Sequence, residues 1–268
     1  MAMFRFCEGA APLLVSMPHT GTHIPEALLA RMNPVAQLVA DTDWHLERLY
    51  DFLGELGASV LVATHSRYVV DLNRPPDGSN LYPGKDTTAL VPLDTFFKEP
   101  LYLPGHEPGA GEIAVRVETH WQPYHAKLQS ALQAIRQKHG YALLWDAHSI
   151  FSLVPRFFAG RLTDFNLGTA DGSSCAPRIG ERLLEEIRGY SAVLNGRFKG
   201  GYITRRYGDP ASGIHAVQLE LSEAIYMDER PPYAFREDLA AGVRPQLRAL
   251  LEEFLRAFSR PLPRPRKG

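Results

Sequence analysis

Short apolar segments alternate with helical patterns along most of this chain, and that alternation restricts its fold more than any other feature. Residues 13–17, 59–63 and 141–145 are short apolar runs of the kind that form strands buried on both faces. Residues 216–222 alternate apolar with polar side chains, which is a further strand pattern. Strands that alternate with helices predict an α/β fold, in which helices flank a mostly parallel, mixed central sheet.

The remaining elements follow the same alternation, with no internal repeat and no break in composition. Helices are predicted at residues 41–56, 112–138 with an interruption near Pro123, 177–189 and 236–258. Shorter strands are predicted at residues 68–72, 164–169 and 191–195. We therefore expect one α/β domain over residues 1–260 and a disordered, basic, proline-rich tail at 261–268. Residues 73–111 form a long irregular segment, which is typical of a functional loop; whether it is a mobile lid stays open.

Composition excludes several classes of partner. The 268 residues include 29 Lys and Arg against 30 Asp and Glu, so the basic excess typical of nucleic-acid binding is missing. No apolar run approaches the roughly 20 residues that cross a bilayer, so no membrane association is predicted. Two cysteines are too few for a disulfide framework, which favours a cytoplasmic location. Monomer and homo-oligomer are both compatible with this composition.

Two histidines follow or end predicted strands of the same sheet. His19 comes directly after the strand at 13–17, and His148 follows the strand at 141–145. Because ligands of α/β proteins bind outside the carboxyl ends of the strands, we expect both imidazoles at one crevice. Two imidazoles and one carboxylate are the usual ligands of a catalytic zinc ion. The sequence therefore predicts a site for one divalent ion, with Zn²⁺ as the expected metal.

The third ligand is open between neighbouring residues. Asp43 is the favoured carboxylate and Asp41 is its rival two positions away. His23 lies four residues after His19, but that spacing forms a metal pair only on a helix, and the nearby Gly21 and Pro25 disfavour one. Metal-bound imidazole usually donates its second N–H to a carboxylate, a role that Asp146 can fill for His148.

Glu220 is the expected general base. An ionised carboxylate in an apolar strand is costly unless a metal ion, a water to deprotonate or an arginine accompanies it. Gln218 lies on the same side of that strand and is expected to hold substrate or a loop backbone. His215, just before the strand, is a candidate substrate contact.

Basic residues near the predicted strand ends point to an anionic ligand. Arg67 and the pair Asn73-Arg74 flank residues 68–72, and Arg205 follows the strand at 191–195. A guanidinium offers carboxylates a planar, two-pronged set of donors. Several arginines beside a metal therefore predict a small acidic substrate that resembles a dicarboxylate.

Several long motifs occur together in this sequence. They are SMPHTGTHIP (16–25), ADTDWHLERLYDF (40–52), SRYVVDLNRPPDGSNLYPG (66–84), WDAHS (145–149), GRFKGGYITRRYG (196–208) and GIHAVQLELSEAIYMDE (213–229). In this order they resemble the N-formylglutamate amidohydrolase family, over most of the chain. The resemblance implies a phosphorylase/hydrolase-like α/β core, similar to that of zinc carboxypeptidases.

The resemblance also implies an activity and assigns roles to residues. The implied reaction is the hydrolysis of N-formyl-L-glutamate, a small acidic N-acyl amino acid, to formate and L-glutamate in histidine degradation. His19 and His148 would be metal ligands, and Asp43 would replace the glutamate of the carboxypeptidase H-x-x-E motif, which is absent after His19. Glu220 would match the catalytic carboxylate. The implied substrate contacts are Arg67, Asn73, Arg74 and Arg205.

Two other functions fit the same residues. A zinc amidase or peptidase would use the same metal ligands on another N-acyl amino acid or peptide. A non-catalytic protein that binds small anions would need the arginines but no metal. Metal content and the number of arginines in the cavity distinguish these alternatives.

Overall fold

The computed structural model describes residues 2–81 and 84–259, so the predicted tail at 261–268 lies outside the described residues. Seven strands of this described part form one mixed sheet. They are β1 (Phe4–Cys7), β2 (Leu13–Met17), β3 (Ser59–Ala63), β4 (Ala142–Ile150), β5 (Phe165–Gly168), β6 (Ala192–Leu194) and β7 (Ile214–Ser222). The α/β class expected from the alternation is confirmed.

The strand order is β1-β3-β2-β4-β7-β5-β6. Strands β3, β2, β4 and β7 run parallel, whereas β1 pairs antiparallel with β3 and β5 pairs antiparallel with β7. Every residue of β2 and β4 is buried, because helices cover both faces of the sheet. The carboxyl ends of β2, β4 and β7 therefore meet at one edge, where ligands of α/β proteins bind.

Seven α-helices lie in the described part of the chain. They are α1 (Glu26–Leu29), α2 (Leu46–Leu49), α3 (Ala110–Arg116), α4 (Gln122–His139), α5 (Ile179–Glu186), α6 (Tyr202–Tyr207) and α7 (Glu237–Ser259). Helices α5 and α7 share a hydrophobic core with one face of the sheet, and α4 and α6 share a core with the other face. A π-helical turn at Val117–Trp121 separates α3 from α4, where an interruption near Pro123 is predicted. None of the helices described has the length and apolar character needed to span a bilayer.

Two predicted elements are wrong, and tertiary contacts explain both. The helix expected at 41–56 is limited to α2, because His45 has a φ of 61° and the Asp43 backbone N–H donates to the His19 carbonyl. The strand expected at 68–72 is a series of turns. In this segment the Asp71 N–H donates to the Leu90 carbonyl, and the Asp71 carboxylate is buried in the protein.

The irregular segment 73–111 is packed against the protein along part of its length. Leu90 and Val91 belong to the core under α4, and Leu101 and Tyr102 pack in a smaller core with α1. Nearer the cavity, Arg156 forms ion pairs with Asp86 and Asp94 at 3.0 and 2.7 Å. These contacts tie the segment to the elements around it.

Replacing Gly21 by alanine is expected to destabilise the loop that follows β2. A Cβ atom at Gly21 would lie 2.4 Å from the His65 carbonyl oxygen and 2.4 Å from the Thr64 carbonyl carbon, so backbone must move. We expect a loss of about 1–3 kcal/mol in the free energy of unfolding, measured by denaturant titration. Gly54→Ala is the matched control, since nothing lies within 4 Å of its added Cβ. Equal stability of the two variants would contradict the close approach of these loops.

His125 on α4 is expected to make stability depend on pH. It is buried, its Nε2 donates to the Leu72 carbonyl at 2.8 Å, and burial lowers its pKa to about 4. Between pH 6.5 and about 4 the unfolded chain therefore binds a proton that the folded protein excludes, which reduces the free energy of unfolding as pH falls.

The measurement compares the wild-type protein with His125→Gln across that pH range. The stability difference between them should shrink on acidification by on the order of 3 kcal/mol, because the variant lacks this titrating group. Stability curves that stay parallel down to pH 4 would show that His125 does not carry this dependence.

Candidate metal centre

Three buried side chains converge at the carboxyl edge of the sheet. His19 follows β2, His148 lies near the end of the adjacent β4, and Asp43 lies in the irregular segment just before α2. One potential ligand atom from each lies within 4.8 Å of the other two, and the two imidazole centroids are 4.9 Å apart. The structure thus brings together the two predicted histidines and the favoured carboxylate.

Backbone geometry turns Asp43 toward the histidines. Its N–H donates to the His19 carbonyl at 3.0 Å, and the left-handed conformation of His45 changes the chain direction just afterwards. Asp43 Oδ2 then lies 3.0 Å from His148 Nδ1 and 3.7 Å from His19 Nδ1. The same conformation that prevents a long helix in this segment directs the carboxylate into the site.

The outer nitrogen of each imidazole faces a second carboxylate. His19 Nε2 donates to Asp71 Oδ1 at 2.7 Å, and His148 Nε2 lies 3.2 Å from Asp146 Oδ2. Carboxylates in this position orient metal-binding histidines and make the inner nitrogen a better ligand. Asp146 was predicted for this position, whereas the contribution of Asp71 is visible only in the structure. Its one sequence signal is an acidic residue in the apolar run YVVDL.

The donor set fits a divalent metal ion. Tetrahedral zinc with nitrogen and oxygen ligands near 2.0–2.1 Å requires ligand atoms about 3.3 Å apart. The distances from Asp43 Oδ2 to the two inner nitrogens, 3.0 and 3.7 Å, lie on either side of that value. Two imidazoles and one carboxylate leave a coordination position for water or substrate. The buried triad could therefore hold a metal.

Electrostatic interactions keep the carboxylates of Asp43 and Asp71 ionised. Burial would raise the pKa of Asp43, but the charge of His19 and the hydrogen bond from His148 hold it well below its ordinary value. Arg67 and His19 do the same for the pKa of Asp71. Burial favours neutral His148, yet Asp146 and Asp43 raise its pKa well above 6.5. The buried carboxylates therefore favour positive charge between them, whether it is carried by the imidazoles or by a bound cation.

The rival ligands face elsewhere. Asp41 Oδ2 accepts a hydrogen bond from the Phe96 N–H at 3.0 Å and thereby holds the segment 94–99. The His23 imidazole packs edge-on against His65, with ring centroids 4.8 Å apart. Neither side chain belongs to the His19–Asp43–His148 group.

A cavity that is partly open to solvent lies beside the triad. Ligand sites are typically concave and combine apolar walls with a few polar groups, as this one does. Its lining includes five of the residues predicted to act on or bind a substrate, namely Arg67, Asn73, Arg74, Gln218 and Glu220. Phe96, Phe157 and Phe198 supply apolar walls.

Glu220 reaches the cavity from β7, directly beside His148. The two residues are partners in the parallel β4–β7 pairing, so their side chains leave the same face of the sheet. Gln218 donates to Glu220 Oε2 at 3.2 Å. Burial raises the pKa of Glu220 to about 8. A carboxyl group with this pKa can exchange a proton near neutral pH.

Gln218 and Asn73 both hold backbone near the cavity. Gln218 Oε1 accepts from the Gly201 N–H at 2.7 Å, and Asn73 Oδ1 accepts from the Ile203 N–H at 2.8 Å. A Cβ at Gly201 would lie 2.3 Å from Asn73 Nδ2, so only glycine permits this approach. These bonds fix the start of α6 against the site.

Two predicted substrate contacts, Arg205 and His215, are not among the residues that line this cavity. Arg205 is exposed on α6, and its Nε donates to the Gly200 carbonyl. His215 is at the amino end of β7, far along the strand from Glu220, where it accepts from the Ala176 N–H and packs on Phe258. Arg197, in the loop after β6, lines the cavity together with Arg67 and Arg74. No periodic pattern in the sequence distinguishes it from other loop residues.

Comparisons with known proteins agree with this geometry. A family model described as N-formylglutamate amidohydrolase matches residues 11–227. Proteins named N-formylglutamate deformylase from Pseudomonas putida and Pseudomonas aeruginosa are 51% and 52% identical over 256 residues, which span 94% of this chain and 96% of each relative. The crystal structure of N-formylglutamate amidohydrolase from Ralstonia eutropha is similar with a TM-score of 0.81 and 25% identity, covering 96% of this chain and 99% of that one. The chain therefore belongs to the N-formylglutamate amidohydrolase family.

Proposed function

We propose that this protein hydrolyses N-formyl-L-glutamate to formate and L-glutamate with one zinc ion held by His19, Asp43 and His148. The observation that carries the proposal is the convergence of this triad with Glu220 at a cavity that arginines line. The names of the relatives supply the substrate. The proposal includes a cytoplasmic location and a role in histidine degradation.

Each ligand has a separate task. His19 and His148 present their Nδ1 atoms inward because Asp71 and Asp146 engage the outer nitrogens. Asp43 supplies the negative charge that makes the site attractive to a dication. When bound, a zinc ion supplies a Lewis acid that acidifies water and polarises a carbonyl group.

Glu220 is the proton carrier in this mechanism. Its carboxylate takes a proton from the attacking water, whose oxygen adds to the formyl carbon. The carboxyl group then returns that proton to the amide nitrogen, so the C–N bond breaks to release glutamate and formate. Burial raises the pKa of Glu220 to about 8, which favours the protonated form that returns the proton. The charges of His148 and Arg67 act in the opposite direction and favour the ionised form with which the cycle begins.

Arg67 and Arg74 are the proposed contacts for the α-carboxylate. Both lie near the triad. Asp71 accepts hydrogen bonds from His19 and from Arg67, and Arg74 approaches the same carboxylate at 4.0 Å. The α-carboxylate is attached to the carbon that bears the formyl nitrogen, so it must bind near the reacting amide. Asn73 and Gln218 contribute by fixing the backbone of residues 201–203 against this part of the cavity.

The two alternative functions make different demands on this site. A peptidase requires a groove open at both ends, and an anion-binding protein has no use for the carboxylate-backed histidines. Several arginines line the cavity, and each histidine of the triad contacts a second carboxylate, Asp71 or Asp146. This arrangement favours a small acidic amide substrate. Metal analysis together with formate release from N-formylglutamate tests all three.

Removing either imidazole is expected to reduce bound zinc. His19→Ala and His148→Ala each delete a ligand, so the zinc content of the purified protein should fall from about one ion per chain to a small fraction of that. Inductively coupled plasma mass spectrometry measures the ratio. His23→Ala is the control, since that imidazole faces His65 and should leave zinc content unchanged. Undiminished zinc in both ligand variants would remove them from the site.

Glu220→Gln is expected to separate metal binding from catalysis. The amide is isosteric but cannot accept the proton of water, so formate release should fall roughly 10²–10⁴-fold. Zinc content should stay at the wild-type value, because Glu220 is not a ligand. A variant that hydrolyses N-formylglutamate at the wild-type rate would exclude Glu220 as the general base.

A further inference from the structure

We propose that Arg197 binds the side-chain carboxylate of the substrate and makes the enzyme selective for an acidic side chain. The inference rests on the proposed function and assigns a specificity residue within it. It follows from how the cationic and aromatic residues are distributed along the cavity.

The cavity has two cationic regions. Arg67 and Arg74 form the first, next to the metal ligands: Arg67 pairs with Asp71 at 2.6 Å, Arg74 approaches the same carboxylate at 4.0 Å, and Asp71 binds His19. Arg197, from the loop after β6, forms the second. Two carboxylates on one ligand can therefore meet separate cations.

An aromatic wall separates the two regions. The Arg67 guanidinium carbon lies 4.8 Å from the centre of the Phe96 ring, and Phe96 contacts Phe157 edge-on with centroids 5.1 Å apart. Arg197 contacts the second ring of this pair, with its guanidinium carbon 5.8 Å from the centre of the Phe157 ring. A ligand that spans the wall presents its charged ends to the arginines and its apolar carbons to the two rings.

Arg197 is held in position at the cavity wall. Its Nε donates to the Phe157 carbonyl at 2.6 Å, and its guanidinium carbon lies 5.5 Å from the Phe198 ring. Contacts with a backbone carbonyl and two rings restrict the planar guanidinium, which reduces the entropy lost when it binds a carboxylate. A half-buried location strengthens that interaction relative to one in open solvent.

The substrate has the matching arrangement of charge. In N-formylglutamate the α-carboxylate is next to the amide that reacts, whereas two methylene groups separate the γ-carboxylate from the α-carbon. With the amide at the triad, the α-carboxylate binds at the Arg67 and Arg74 region. The methylene groups then lie along Phe96 and Phe157, and the γ-carboxylate reaches Arg197.

The test compares N-formyl-L-glutamate with N-formyl-L-glutamine, which is isosteric but neutral at the side chain. For Arg197→Met and Arg197→Gln we expect KM for N-formylglutamate to rise about 10–100-fold, the range for a lost charged hydrogen bond. KM for N-formylglutamine and the zinc content should stay near their wild-type values. Arg161→Met, an exposed arginine outside the cavity lining, is the control and should retain wild-type selectivity.

The possible outcomes have different consequences. Unchanged selectivity between the two substrates in both Arg197 variants, with the wild-type enzyme active, overturns this inference and leaves the proposed function intact. An equal loss on both substrates also overturns it, because a structural role would act on both. If Arg197→Met has a lowered melting temperature, Arg197→Gln decides, since its amide nitrogen takes the position of the arginine Nε and can still donate to the Phe157 carbonyl. A wild-type protein that releases no formate from N-formylglutamate overturns the proposed function, and this inference with it.

Discussion

The buried carboxylate of Asp71 is the interaction on which the candidate site depends. One oxygen accepts hydrogen bonds from His19 Nε2 and from the Asn73 N–H, and the other accepts from Arg67. The side chain has no exposed surface, so its charge is compensated entirely by these partners. A single carboxylate thus orients a candidate metal ligand, holds an arginine at the cavity and fixes the backbone that carries Asn73. Loss of one partner would leave a buried charge incompletely compensated, so the positions of His19 and Arg67 depend on each other.

The parallel sheet supplies the rest of the arrangement. Pairing of β4 with β7 places His148 beside Glu220 and Asp146 beside Gln218, so a ligand and the proposed base leave adjacent strands in the same direction. Regular strands define such positions more rigidly than loops do. The loop after β2 adds His19, and the loop after β6 adds Arg197. The loop after β2 packs closely against residues 64–65, an approach that only a glycine at position 21 permits. The strands therefore position His148 and Glu220, whereas the loops contribute His19 and Arg197.

Much of the fold could be predicted from local pattern. The bounds of β2 and β3 match the predicted segments, and the central strands end in polar residues that the structure brings to one edge. The segment at 41–56 could not be predicted, because its apolar spacing is helical while contacts with His19 determine its path. The sequence also predicts a strand around Asp71, where the structure has turns. The apolar residues around Asp71 are buried in either case, so an apolar run alone does not distinguish turns from a strand.

The sequence by itself determined the α/β class, the two strand-end histidines and the position of Glu220 in an apolar strand. These features are local, since they depend on periodicity and on residue type at strand ends. Only the tertiary structure decided which polar groups meet. The structure groups Asp43, and not Asp41, with the two histidines, and it places Asp71 against His19. It also places Arg197 in the lining of the cavity. The physical reason is that loop side chains have no period to define their direction, so contacts between distant segments decide where each one points.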